Sequence, residues 1–135
     1  MHPVHVNVAA FVVAVIIKQA IGGFWFSPIA FGPAWMRFTG GDETTMRAGM
    51  AKALTLDVIG GVIMAFILLH AVVYAGATTA GQGAGVGIAN WIGFVAVGTL
   101  PMVSFEKRPA RLWMIYNAYF LIALIIMGAI FAAWR

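Results

Sequence analysis

Four runs of about 20 mostly apolar residues punctuate this chain, each long enough to cross a hydrocarbon core roughly 30 Å thick. They occupy residues 4–26, 53–74, 86–105 and 112–134, leaving only short breaks and one longer segment, residues 27–52. Within lipid every backbone amide needs an internal partner, so such runs fold as helices. The rest of the composition agrees. Hydrophobic residues make up 63% of 135 residues and charged ones 9%, against roughly half and a quarter in soluble domains. A soluble globule of this length has too little interior to hide that much apolar side chain. The expectation is an all-α integral membrane four-helix bundle, one domain over residues 1–135.

The breaks carry their own signals. Pro28 and Pro33 end the first span, and Phe31, Trp35 and Phe38 suit a segment lying among lipid headgroups. After Gly40 and Gly41, Asp42 reads as the N-cap of a helix running through Arg47 and Lys52 into the second span. The second break, residues 76–85, is uncharged and rich in glycine (Gly81, Gly83, Gly85, then Gly87). No strand precedes it and its spacing fits no nucleotide-binding loop, so it reads as a flexible turn. Pro101 predicts a kink in the third span, with packing or Ser104 satisfying the freed carbonyl. The third break, around Glu106, Lys107, Arg108 and Pro109, is short and makes the last two spans antiparallel neighbours.

Orientation follows from the basic residues. Arg37, Arg47 and Lys52 lie in the first break, Lys107, Arg108 and Arg111 in the third, and only Arg135 at the far end. Six against one places the first and third breaks in the cytoplasm and both termini outside. Trp25, Trp35 and Trp113 then form an inner aromatic belt, with Trp91 and Trp134 in the outer one. The first span has no basic residue before it and reads as a retained helix, not a cleaved leader. The net charge of +4 follows loop placement and makes no basic stripe, which argues against nucleic acid as a partner. With no cysteine, disulfides, thiolate metal sites and a cysteine nucleophile are excluded.

Chemistry must come from the few polar groups inside the spans. Lys18 lies about ten residues from Pro28, ~15 Å from that helix end at 1.5 Å per residue. A lysine at such depth costs about 2.5–3.5 kcal/mol to insert and faces the bundle interior towards a partner. Asp57, the one carboxylate inside a span, is the natural partner, with Gln19, Thr99 and Asn117 nearby in depth. Asn7, Phe11, Ala14, Lys18, Gly22 and Trp25 share one stripe of the first span. Asp57 shares one with Gly60, Gly61 and Met64, where small residues allow close approach. Lys18, Gln19, Asp57, Thr99 and Asn117 are therefore the candidate ligand-binding set. The competing reading is a structural pair; on it, the unequal depths of Lys18 (~15 Å) and Asp57 (~7 Å) leave the two to meet through water. His2, His5 and His70 fall on the outer side, where His5 with His70 is a weaker option for a metal or haem iron. No cofactor is expected. Ser104 and Glu106 lie on the other side from the histidines, so no hydrolytic triad assembles and no catalytic residue is assigned.

The run Phe24-Trp25-Phe26-Ser27-Pro28-Ile29-Ala30-Phe31-Gly32-Pro33-Ala34-Trp35-Met36 resembles the W-[YF]-S-P-x-x-F-G-x-x-W segment of a family of small bacterial membrane proteins, the domain of unknown function 1761 family. The stretches Phe105 to Pro109, Asn117 to Tyr119 and Met127 to Ala129, with Asn7, are similar to it as well. The resemblance implies a four-helix protein of the bacterial inner membrane and supplies no activity. It also points to Trp25, Ser27, Pro28, Phe31, Gly32 and Trp35 as a shared rigid interfacial corner, whereas Lys18 departs from the family's apolar first span. The functional expectation is a non-catalytic accessory or structural subunit of the lipid bilayer, forming a homo-oligomer or docking on a larger membrane complex. The rival is an oligomeric transporter of a small solute, ion or proton built on Lys18, Asp57 and Asn117.

Overall fold

The computed structural model describes residues 3–135, so His2 lies outside the described residues. Those residues form five helices and no strand: α1 (Val8–Trp25), α2 (Gly32–Thr39), α3 (Glu43–Tyr74), α4 (Ala80–Ser104) and α5 (Ala110–Ala133). All but the short α2 are long and apolar enough to cross a membrane. The protein is a helical membrane bundle.

Local chemistry sets the helix ends. Asn7 is not inside the first span but caps it: its Oδ1 accepts the Ala10 amide at 3.1 Å, so α1 starts at Val8. Asp42 caps α3, accepting the Thr45 amide at 2.7 Å and the Thr45 hydroxyl at 3.0 Å. Those bonds to the charged form hold the Asp42 carboxyl below its usual value of 3.8. The 32 residues of α3 make it ~48 Å long at 1.5 Å per residue, well beyond a hydrocarbon core. In its first turns Glu43 pairs with Arg47 at 2.7 Å, both side chains exposed.

The glycine-rich break is not a flexible turn. Thr79 opens α4 with a reciprocal capping box: its hydroxyl accepts the Gln82 amide at 3.3 Å, and Gln82 Oε1 accepts the Thr79 amide at 3.2 Å. The real turn is only residues 75–79, with Gly76 in the left-handed region at φ 67. Gly81, Gly83, Gly85 and Gly87 are all helical. Two of them explain why. Gly83 lies against Gly128 and Gly87 against Leu124 of α5, backbone to backbone, and a Cβ on either would overlap the facing carbonyl. In lipid, where apolar surface gains nothing by meeting apolar surface, such close van der Waals contact is what joins helices.

Pro101 does interrupt α4, but Ser104 does not mend it. The Val97 carbonyl, which a residue at 101 would otherwise meet, accepts the Leu100 amide at 3.3 Å, and Ser104 Oγ bonds Leu100 O at 3.2 Å. One turn earlier, Trp91–Ala96 widens into a π-helical segment.

The last helix is the axis of the bundle. It packs against α1, α3, α4 and α2, and it buries Leu112, Ile115, Leu124, Met127 and Phe131. Tryptophans from three other segments dock on it by their indole N–H groups. Trp25 Nε1 donates to Ile115 O at 3.0 Å, Trp35 Nε1 to the Tyr116 hydroxyl at 2.5 Å, and Trp91 Nε1 to Asn117 O at 2.8 Å. Trp91, expected in the outer aromatic belt, lies ~16 Å along α4 from Ala80 with its indole turned to α5.

Candidate functional site

Lys18 and Asp57 meet directly. The Lys18 ammonium donates to Asp57 Oδ1 at 2.8 Å and lies 3.4 Å from the Asp57 backbone carbonyl. No water is needed between them, contrary to the depth argument. That argument measured Asp57 from residue 53, but α3 runs unbroken from Glu43 and has no boundary there. Gly61, one turn further along α3, supplies the passage. A Cβ there would sit 3.3 Å from Lys18 Cδ and 3.2 Å from Gln19 Nε2, so a larger side chain would press on the lysine stem.

The two partners live in different surroundings. The Lys18 side chain is 2% exposed and that of Asp57 47% exposed. The Tyr119 ring centroid lies 5.8 Å from Lys18 Nζ, adding a cation–π contact. Asp57 looks into a cavity of about 470 Å³, walled also by Gln19, Phe26, Trp35, Tyr116 and Tyr119. Asp57 Oδ2 has no hydrogen-bond partner among the described residues. The Gln19 amide nitrogen is buried without a partner as well. Asp57 and Gln19 thus both line the cavity, the first with a free carboxylate oxygen and the second with an amide nitrogen buried without a partner.

Asn117 is not part of this cluster. It is buried on the opposite face of α5, where its amide donates to Thr99 Oγ1 at 3.1 Å and to Trp113 O at 3.0 Å. Thr99 Oγ1 also accepts the Trp113 indole at 2.9 Å and donates to Val95 O at 2.6 Å. Thr99 and Asn117 therefore close a fastening between α4 and α5. Asn117 Oδ1 is left without a partner. The five candidates divide into two groups: Lys18, Gln19 and Asp57 in one, Thr99 and Asn117 in the other.

Tyr119 and Tyr116 were missed as cavity walls. Their signal was present: they sit three apart on α5, and Gly22, one turn after Lys18, leaves just the room Tyr119 takes. A Cβ at Gly22 would lie 3.0 Å from the Tyr119 hydroxyl.

The proline corner closes the end of the cavity. Ser27 Oγ donates to Phe24 O at 2.6 Å, and the Phe31 and Gly32 amides return to Trp25 O and Ser27 O at 2.9 and 3.0 Å. Gly32 is required sterically, since a Cβ would fall 2.6 Å from the carbonyls of Phe26 and Ser27. Pro33 then starts α2. The corner is tied to α5 by Trp25 and Trp35 and by stacking of Phe26 on Tyr116 and Tyr119, centroids 5.7 and 5.5 Å apart.

The histidines are spent elsewhere. His70 Nδ1 is 2.7 Å from Phe66 O within its own helix, and the ring stacks on Phe66. His5 lines a separate cavity with Leu69, Val73, Trp134 and Arg135, and His70 is not among its walls. Among the described residues no group of three or more His, Asp or Glu side chains is placed to hold a metal.

These features define a helical membrane protein with four apolar spans, a half-buried ion pair between the first two, and a cavity beside it. Residues 9–132 match a protein family of unknown function, DUF1761, and the chain belongs to that family. Neither curated proteins nor solved structures gave a match to it.

Proposed function

We propose that the protein is a membrane-embedded binding protein for a small amphipathic organic solute, which it holds at Asp57 and Gln19. The observation that carries this reading is the free carboxylate oxygen of Asp57 on the wall of a cavity that Gln19 also lines, the Gln19 amide nitrogen being buried without a partner. Buried polar groups are nearly always satisfied, so a small rotation of the Gln19 amide towards a ligand acceptor in the cavity would give it the partner it lacks. Asp57 Oδ2 takes an N–H or O–H of the same ligand, and Phe26, Trp35 and Tyr116 receive its apolar part. Lys18 is a positioning residue, fixing the carboxylate from behind. Binding, not covalent chemistry, is the activity proposed, because the wall carries no activated nucleophile. With the basic breaks in the cytoplasm of a bacterial inner membrane, the cavity lies in the cytoplasmic half of the protein and both termini lie outside. Movement of the solute across the bilayer then requires a second copy or partner to complete the path, since this cavity is confined to one end of the bundle among the described residues.

The test is thermal unfolding of the purified chain in detergent against a panel of small amines, amides and alcohols. A true ligand at 100 times its Kd stabilises by about 2.7 kcal/mol. Gln19→Leu is the diagnostic variant: it removes a buried unsatisfied donor, so the ligand-free protein holds or gains stability while ligand stabilisation disappears. A compound that stabilises wild type and Gln19→Leu equally would refute the site.

A second reading is favoured by the same pair seen from the other side. Lys18, buried over the Gly61 notch, fastens α1 to α3, as suits an accessory subunit that only presents helices to a complex. On that reading Gln19→Leu changes no binding, and a stable partner co-purifies from native membranes with either form.

A further inference from the structure

A second cavity, of about 360 Å³, lies beyond the proline corner between α2 and α5. Its lining is almost wholly apolar, built from Trp25, Phe31, Phe38 and Ile115 together with the side-chain stems of Arg37 and Arg111. Arg37 lies over the Phe38 ring, 5.6 Å from its centroid.

Charge accounting decides what fits there. The chain has four Asp and Glu residues. Each is engaged elsewhere: Asp42 with Thr45, Glu43 with Arg47, Asp57 with Lys18 and Glu106 with Arg108. No side-chain carboxylate is left for Arg37 or Arg111, and neither makes a hydrogen bond or ion pair among the described residues. Two unpaired guanidiniums over an apolar slot match one kind of molecule: an anion with a hydrocarbon tail. Guanidinium groups engage phosphate oxygens in pairs, and basic pockets beside membrane helices take anionic headgroups.

We infer that this cavity binds an anionic phospholipid, with the phosphate between Arg37 and Arg111 and an acyl chain against Trp25, Phe31 and Ile115. The inference is independent of the solute site, which lies on the other side of the corner.

The experiment titrates the full chain in detergent micelles with dioleoylphosphatidylglycerol or dioleoylphosphatidylcholine and counts bound lipid by native mass spectrometry. Each guanidinium contributes roughly fivefold to anionic preference, so the phosphatidylglycerol is retained about twenty-five-fold more tightly. Arg37→Gln with Arg111→Gln brings the two lipids close to parity, whereas Lys52→Gln with Lys107→Gln leaves the preference in place. Arg37→Lys with Arg111→Lys keeps the charge and loses the paired geometry, so the preference falls part of the way; this pair serves if the glutamine pair does not fold. Equal retention of both lipids by wild type, or a preference indifferent to the arginine substitutions, overturns the inference. Displacement of the lipid by millimolar inorganic phosphate alone would make it a free-anion site and overturn it equally.

Discussion

Asp57→Asn and Lys18→Met both break the same 2.8 Å ion pair, yet the structure assigns them different costs. Removing the carboxylate charge leaves an ammonium that is 2% exposed, closed in by Gly61 and the Tyr119 ring. An abandoned buried charge costs about 3–5 kcal/mol. Removing the ammonium instead leaves a carboxylate 47% exposed on a cavity wall, where water reaches it, and the loss is about 1 kcal/mol, as for a half-solvated pair. Methionine fills the lysine's channel with nearly the same volume. The double variant carries neither charge and falls within about 1 kcal/mol of wild type. The order of stability is therefore wild type and double variant together, Lys18→Met a little below, and Asp57→Asn far below. Reversible unfolding in mixed micelles, followed by circular dichroism, measures all four corners of the cycle. The reasoning fails if Lys18→Met costs as much as Asp57→Asn, or if adding Lys18→Met to Asp57→Asn restores nothing. The first result would mean that the carboxylate is no better solvated than the ammonium, and the second that the ammonium reaches solvent without its partner.

Gly87→Ala forces a methyl group into the Leu124 carbonyl and destabilises by about 1–3 kcal/mol in the same unfolding assay. Gly85→Ala, which meets open space, stays neutral or gains slightly from helix propensity. Thr99→Val strands the Trp113 indole and Asn117 amide donors; at about 1–3 kcal/mol for a lost buried partner, it loosens α4 from α5 and shifts Trp113 fluorescence towards the red. Asp42 has its carboxyl held below 3.8 by the Thr45 amide, so its contribution is fully present above that ordinary value. It is lost as pH falls through the lowered one. Protection of the Thr45 amide, taken relative to its intrinsic exchange rate at each pH, should fall on that acid descent, and Asp42→Ala should show low protection throughout.

What the chain disclosed in advance was what depends on neighbours in sequence. The lengths of the apolar runs and the Asp42 cap are local properties, and the helices follow them. The Thr79–Gln82 box was equally local, but the glycines that follow it outweighed it in the reading. Glycine weakens an isolated helix in water. Here Gly83 and Gly87 are positions where α5 comes too close for any side chain, and in lipid a helical backbone is the only one that satisfies its own amides. The site split for a geometric reason. Asn117 and Tyr119 are two residues apart, hence about 200° apart around α5. Equal depth suggested that Asn117 would join Lys18, whereas its direction sends it to α4 and brings Tyr119 to the lysine.

The π-helical segment Trp91–Ala96 joins these two halves of the molecule. On a regular helix, Thr99 is twelve residues beyond Gly87 and points about 120° away from it, off the α5 face. A π turn takes in one extra residue and rotates all that follows by about 100°, which returns Thr99 to within about 20° of Gly87. The same stretch places Trp91 to donate to Asn117 O just before the register shifts. The widened turn therefore lets one helix use glycines at one end and a hydroxyl at the other against the same partner. With α4 so fastened to one face of α5, the opposite face, carrying Tyr119, is left to α1 and the Lys18–Asp57 cavity. A substitution that regularised the segment would turn Thr99 outwards and cost α5 its hold on α4, while leaving the ion pair in place.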